Sequence, residues 1–349
     1  MNSLLRRLKH IKSLSNGGLQ REEGELLFAV DSPLPASLSV GRGNVLDIRG
    51  WCFHTHRRIK KLEIEINGQI FPVKVRNIAR PDVLEHLGNR TNRRRDCYYS
   101  GFQVTVPLSN QITSRIEFQL LATLRRTSPI RRTFASIEIT PFRQQELIAP
   151  ASAGNPLVVI CLTTYCPPLE LFRRQISSII AQTHRNWICL ISDDSSPKEA
   201  LAEVKQIISQ DERFHLLPAA KERLGFYHNF ERCLSFVPET AEYVALADQD
   251  DYWYSEKLQM LLAQFGKRTE LTFSDMRLVD VQGQVLSETY WTMRQNNATD
   301  LAALLIANTV PGAGLMFRRG LLDYVLPFPP QIGDLYHDHW IGSVALAKG

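Results

Sequence analysis

Leu157-Val-Val-Ile-Cys-Leu-Thr-Thr-Tyr165 is the stretch on which the fold turns. Its first six residues form a continuous apolar run, as expected of a strand buried on both faces of a parallel sheet. A helical pattern follows from Leu169 to Gln182. Working outward, strands are expected at Trp187 to Ile191, Phe214 to Leu217, Tyr243 to Ala247 and Leu271 to Ser274. Helices are expected at Lys198 to Ser209, Phe226 to Phe236 and Ser255 to Phe265. Strands alternating with helices predict a mostly parallel α/β sheet.

Upstream the pattern changes. Lys61-Leu-Glu-Ile-Glu-Ile-Asn67, Arg115-Ile-Glu-Phe-Gln-Leu120 and Ala135-Ser-Ile-Glu-Ile-Thr140 alternate with period two, and Asn67-Gly68 is a strong hairpin signal. An antiparallel β-sandwich is expected over 26–143. Small residues, Pro150, Gly154 and Pro156 mark 144–156 as a linker, and 157–349 is the α/β domain. The basic segment 1–25 places Leu4, Leu5, Leu8 and Ile11 at helical spacing among arginines and lysines. It reads equally as a membrane-surface helix or a loosely docked terminal helix.

The totals fit this division. A chain of 349 residues, 44% apolar and 22% charged, suggests two soluble domains. The net charge of +5 suits anionic partners such as phosphates or a membrane surface, without indicating nucleic acid. The six cysteines form no CxxC pair, so small buried hydrophobes in a reducing compartment are expected. No apolar run is long enough to span a bilayer and no signal peptide is evident. The expected location is cytoplasmic, with peripheral contact on the inner face of the cell membrane left open.

In open α/β sheets ligands bind beyond the carboxyl ends of the strands. Asp193-Asp194-Ser195-Ser196 follows the second strand, Asp248-Gln249-Asp250-Asp251-Tyr252-Trp253 the fourth, and Asp275 the fifth. These carboxylates should converge on one edge. No Gly-rich dinucleotide turn or P-loop occurs. A hard divalent cation takes one or two carboxylates plus substrate phosphates. Asp248 and Asp250 lie two apart, so in an extended segment both would face one ion, which would neutralise a departing diphosphate. Asp193 and Asp194 suit a base or ribose, or the cap of the next helix, a role open also to Ser195 and Ser196.

Together these motifs resemble the family 2 glycosyltransferases, which are inverting enzymes of GT-A fold. The resemblance runs from about Pro156 to the end and rests on Val158 to Tyr165, Ser178-Ile-Ile-Ala-Gln-Thr183, Ile191 to Ser196 and Leu246 to Trp253. It implies that Thr163, Tyr165 and Asp194 hold the nucleoside, with Asp194 facing the base, and Asp193 beside it is expected to join the donor-binding set. It assigns Asp250 as principal metal ligand, with Asp248 as its partner near the ribose and diphosphate, and Mg or Mn as the ion. Phe273-Ser-Asp-Met-Arg-Leu-Val-Asp280, Gly312-Ala-Gly-Leu-Met-Phe317 and His337-Asp-His-Trp340 are similar to bacterial rhamnosyltransferase-like members, which places the general base at Asp338. A helix-start role is the simpler alternative for Asp338.

Two departures from the pattern stand out. Ala313 replaces the usual Cys or Thr, and the chain stops at Gly349 where related enzymes continue, so the domain is expected to be truncated at its C-terminus. Gly50-Trp51-Cys52-Phe53, Arg80-Pro-Asp-Val83 and Ser100-Gly-Phe102 resemble an Ig-like module fused to bacterial glycosyltransferases. Trp51 suits a core position better than a sugar platform. The runs Arg93-Arg94-Arg95, Arg125-Arg126 and Arg131-Arg132 suit a solvated face better than a phosphorylated glycan or lipid.

The implied protein is a metal-dependent hexosyltransferase of surface polysaccharide synthesis, taking a nucleotide sugar, with L-rhamnose the leading donor sugar. Its partners are that donor and a glycan or lipid-linked glycan acceptor, with no nucleic acid. The alternative is a non-catalytic glycan-binding or scaffolding protein with a degenerate transferase domain.

Overall fold

A computed structural model describes residues 25–41, 44–108, 115–142, 155–220, 222–293, 296–297, 299–329 and 336–348. The expected basic N-terminal helix and nearly all of the expected linker lie outside these residues. The chain forms two compact units, one within Met1–Ala36, Leu46–Val106 and Arg115–Glu138, the other within Ser37–Val45, Pro107–Ser114 and Ile139–Gly349.

The N-terminal half is an antiparallel sandwich. One sheet has the order Leu26–Val30 (β1), Val45–His54 (β3), Gly101–Pro107 (β7), Val75–Ile78 (β6). The other runs Ser37–Val40 (β2), Ile130–Pro141 (β9), Arg115–Leu124 (β8), Ile59–Ile66 (β4), Gln69–Pro72 (β5). The Asn67-Gly68 signal is borne out: both residues have positive φ (47° and 86°) and join β4 to β5, because a primed turn matches the strand twist. Phe134 of β9 meets Phe28 of β1 at 6.2 Å and Phe118 of β8 at 6.0 Å, locking one sheet to the other. Two short helices, Pro81–Leu87 (α1) and Arg94–Tyr98 (α2), close one end. Trp51 is buried with Phe53, Val83, Leu87 and Cys97, so its side chain is a core group. Arg80 grips Asp82 at 2.7 Å and Asp31 at 2.8 Å, fixing the start of α1.

The α/β unit is built on a six-stranded sheet. Its order is Phe214–Leu216 (β12), Trp187–Asp193 (β11), Val158–Thr164 (β10), Tyr243–Ala247 (β13), Leu315–Arg318 (β17), Leu271–Phe273 (β14). The first four strands are parallel, and β17 runs antiparallel to both neighbours. A two-stranded ribbon, Leu278–Val279 (β15) and Val285–Ser287 (β16), follows β14.

Alternate residues of the parallel strands enter two separate cores, because side chains alternate faces with period two. Val159, Cys161, Leu190 and Leu246 pack with Tyr227, Phe230 and Leu234 of Gly225–Ser235 and with Ile341 of His337–Lys348. Ile160, Leu162, Cys189 and Ala245 pack on the other face with Phe172 and Ile176 of Leu169–Ile180 (α3). Val204 of Lys198–Ile208 (α4) and Leu258 of Lys257–Ala263 join that second core. The helices Gly225–Ser235, Lys257–Ala263, Leu301–Ile306, Leu322–Val325 and His337–Lys348 are α5 to α9. Cys52, Cys97, Cys161, Cys189 and Cys233 are buried free thiols, and Cys166 is exposed. Among the described residues no helix is long and apolar enough to cross a membrane.

Ile160 sits fully buried on the strand that pairs with both β11 and β13. Ile160→Ala should destabilise the α/β unit by roughly 2–5 kcal/mol, read as a lower urea midpoint with unchanged far-ultraviolet dichroism of the folded baseline.

Candidate active site

From β10 the chain proceeds to β11 and β12 on one side, then crosses back to β13 on the other. The adjacent ends of β10 and β13 are therefore a topological switch point, where the connections diverge and leave a crevice. Tyr165 follows β10, Asp193 and Asp194 lie at the end of β11, and Asp248 follows β13. Gln249 Oε1 accepts the Tyr165 backbone N–H at 2.9 Å across the switch point.

The β11 end is tightly organised. Asp193 accepts from Thr164 Oγ1 (2.9 Å), Ser196 N (2.7 Å) and Ser196 Oγ (2.7 Å). Ser196 Oγ in turn accepts from Cys166 N at 2.9 Å. Cys166 and Ser195 have positive φ, a strained conformation for residues with a Cβ, and this network holds the loops that contain them. Helix α4 begins after Pro197 with no side-chain cap, so neither Ser195 nor Ser196 caps it; the carboxylate of Asp193 draws Ser196 into the turn instead.

Asp194 is buried and accepts from Leu224 N (2.6 Å) and Gly225 N (2.9 Å), at the start of α5. Unpaired N–H groups there favour a carboxylate. Arg223 brings its Nε within 3.7 Å of Asp194 and lies 3.8 Å over the ring of Tyr165, which is 38% exposed. Thr163 pairs with Ser192 on β11, one step before the last pair of that ladder, Thr164 with Asp193. Aromatic face, guanidinium and carboxylate thus stand together at one side of the crevice.

The β13 end gathers the other acids. The chain does not stay extended past β13: it turns at Gln249 and Asp250, leaving Asp248 half-buried and Asp250 exposed. Asp248 and Asp250 are therefore not placed on one face by an extended backbone, as their spacing of two predicted. Burial, with Asp251, Asp250 and Asp338 around it, pushes Asp248 up to about 7, and Lys257 opposes the shift. Burial likewise raises Asp251, whose Oδ2 has no hydrogen-bond partner. Lys257 is pushed down to about 7 by burial, against the pull of Asp251 and Asp248. Its Nζ lies 3.8 Å over the Trp253 ring and donates to Ala313 O at 2.5 Å.

That contact leads to Asp338. Gly312, in the turn with Ala313, donates its N–H to Asp338 Oδ2 at 2.9 Å. Asn308 Nδ2 (3.0 Å) and His339 N (2.8 Å) donate to Oδ1. A Cβ on Gly312 would stand 3.0 Å from His337 Nε2 and 3.2 Å from Asp338 Oδ2, so glycine permits this close approach. Burial raises the Asp338 carboxyl, while the three donors hold it down. Asp338, at the far end of the sequence, reaches the field of Asp248. Asp275 does not join the cluster through its carboxylate, which accepts from Met276 N and Tyr290 N.

Among the described residues no three His, Cys, Asp or Glu side chains are arranged to hold a metal ion by themselves. Crowded carboxylates with one orphaned oxygen nevertheless suit a hard cation that takes most of its oxygens from substrate phosphates and water. Lys257 and Arg223 lie outside every motif of the sequence, and Gln249 and Asp251 stand within the motif after the fourth strand without a role of their own. The only local hint was the second Asp of Asp250-Asp251, since the others act through distant partners.

Residues 158–326 match the model for Glycosyl transferase family 2, and the α/β unit that contains them has the GT-A fold. The uncharacterized glycosyltransferase alr2836 of Nostoc sp. is 26% identical over 164 residues, 45% of this chain and 49% of that protein. The dTDP-rhamnosyl transferase RfbG of Shigella flexneri is 32% identical over 87 residues, 24% of this chain and 30% of that protein. The chain thus spans half or less of the length of these relatives. The mannosyltransferase PcManGT of Pyrobaculum calidifontis, solved with GDP-Man and Mn2+, is 17% identical, with a TM-score of 0.42 over 58% of this chain and 55% of that one.

His337 is buried, stacked 3.8 Å from the ring of Phe230, and neither ring nitrogen has a partner. Burial lowers its pKa to about 3. The unfolded chain binds this proton below about pH 6.5 and the folded chain does not. The stability contributed by neutral His337 is therefore complete above about 6.5 and is lost as pH falls toward 3. Between pH 7 and pH 5 the urea midpoint should drop less in His337→Phe than in the wild type, the difference amounting to roughly 1–2 kcal/mol.

Proposed function

We propose that the chain transfers a sugar, with inversion, from a nucleoside diphosphate donor to an acceptor hydroxyl. The observation that carries this reading is the meeting, at the switch point, of a nucleoside-shaped side (Tyr165, Arg223, Asp194) with a crowded acidic side (Asp248, Asp250, Asp251, Asp338). Thr163, Tyr165 and Asp194 hold the nucleoside, Tyr165 by its exposed ring and Asp194 by its carboxylate toward the base. Asp193 supports them through the turn it organises. Asp248 and Asp250 would hold a divalent cation, Mg or Mn, which when bound neutralises the diphosphate.

Asp338 is the general base. Three donors use three of the roughly four acceptor positions of its carboxylate and fix its orientation, leaving one on Oδ2 for the acceptor hydroxyl. Its raised affinity for a proton brings the carboxylate closer to the range in which a base works near neutral pH. Lys257 ties the acidic turn to the Gly312 turn, so base and donor site keep a fixed spacing.

The segment shared with a dTDP-rhamnosyl transferase supports L-rhamnose as the donor sugar. The accompanying assignments are a surface polysaccharide or lipid-linked glycan acceptor and a cytoplasmic site with peripheral contact to the membrane. The N-terminal sandwich is assigned as an Ig-like accessory module.

Asp338→Asn should lower turnover by about 10²–10⁴-fold while calorimetric binding of the nucleoside diphosphate with Mn stays as in the wild type. Asp250→Ala, or EDTA with the wild type, should abolish metal-dependent nucleotide binding. Full turnover in both variants would reject the assignment.

A further inference from the structure

The sandwich unit contains a cavity of about 450 Å³, lined by none of the residues assigned to sugar transfer. Its volume is within the range of small-molecule sites. Arg57, Arg58, Arg76, Arg93 and Arg95 line it, against one carboxylate, Asp96. Asp96 is already paired with Arg93 at 2.5 Å. Among the described residues none of the other four arginines forms a salt bridge. Arg57 donates to Arg125 O (2.6 Å) and Arg76 to Lys60 O and Ile59 O (3.3 Å each), contacts that orient the guanidinium groups without cancelling their charge. Clustered like charges repel, and a surface that only needed solubility would have mixed signs. Burial weakens the hold of Arg76 on its proton, Cys52 opposes the shift and Arg58 adds to it, as expected of neighbouring like charges.

The backbone is shaped for this arrangement. Asn77 has φ of 61°, and the β6–β7 register breaks between Arg76 and Ile78. Such bulges re-aim side chains and recur beside binding sites. Buried Phe53 belongs to the wall, and Tyr99, 44% exposed, stands at the same cavity. Tyr98 packs edge-on against the Tyr99 ring at 4.8 Å and holds it in place.

We propose that this cavity binds a phosphate-bearing saccharide, with the phosphate among Arg58, Arg76 and Arg95 and a sugar ring against Tyr99. Guanidinium groups match phosphate oxygens with paired donors, and an aromatic face suits the apolar side of a sugar ring. The charge is set into a concavity, which fits a discrete group better than a flat anionic bilayer.

The test is calorimetry on the whole chain in EDTA, with glucose 1-phosphate, inorganic pyrophosphate and glucose as probes. Glucose 1-phosphate should bind and glucose should not. Arg58→Ala combined with Arg95→Ala, both exposed positions, should weaken binding at least tenfold with an unchanged melting temperature. Tyr99→Ala should weaken glucose 1-phosphate severalfold and leave pyrophosphate unaffected. Absence of glucose 1-phosphate binding, or equal binding by the double variant, would overturn the proposal. Binding of pyrophosphate alone would reduce the site to a bare anion site and remove the saccharide. Co-sedimentation with phosphatidylglycerol vesicles, lost in the double variant, without glucose 1-phosphate binding would replace it with a membrane contact.

Discussion

Everything at the candidate site depends on one topological constraint: β10 and β13 lie side by side and parallel, yet their outgoing connections leave in opposite directions. The connections on each side carry the following helices away from the junction, and the strand ends are left uncovered. The two cores on either face of the sheet make that junction rigid, since β10 is buried almost throughout. Side chains placed just past these ends, Tyr165 and Asp248, inherit fixed positions from the sheet. The Gln249 contact to the Tyr165 backbone then sets one loop against the other.

Electrostatics explains why the acidic end is stored as it is. Four carboxylates share one field, and burial removes the water that would screen them. Burial and the neighbouring acids raise Asp248, and Lys257, held in place by Trp253 and Ala313 O, opposes the shift. Removing charge from water is costly unless it is paired, so this arrangement is stable only because acid and base neighbours compensate. The opposite end uses a different economy: Asp194 is satisfied by backbone N–H groups at the start of α5, and Arg223 is spread over an aromatic face. One side of the crevice is therefore poised for positive charge, and the other for a flat, polar ring system.

The sandwich shows the same principle with inverted sign. Its arginines are oriented by carbonyl oxygens and a β-bulge, which fix geometry but leave charge in place. The runs of arginine in the sequence suggested an ordinary solvated face. That reading fits Arg131, which pairs with Glu65. Arg95, also exposed, lies with Arg58 and Arg76 around one cavity, and the three come from separate segments.

The sequence by itself determined the strand and helix order from β10 to β14, the Asn67-Gly68 hairpin and the positions of Asp194, Asp248 and Asp250 at strand ends, but not the insertion of β17 between β13 and β14. Those features are local: apolar runs, turn chemistry and neighbouring residues specify them within a few positions. Only the tertiary structure decided that Asp248 and Asp250 are separated by a turn and that Asp193 is occupied by Thr164 and Ser196. It alone also brought Lys257, through Gly312, to Asp338 and laid Arg223 on Tyr165. Burial and charge compensation are collective, arising where segments far apart in sequence exclude water from the same volume. No periodicity within one segment records which distant residue will share that volume.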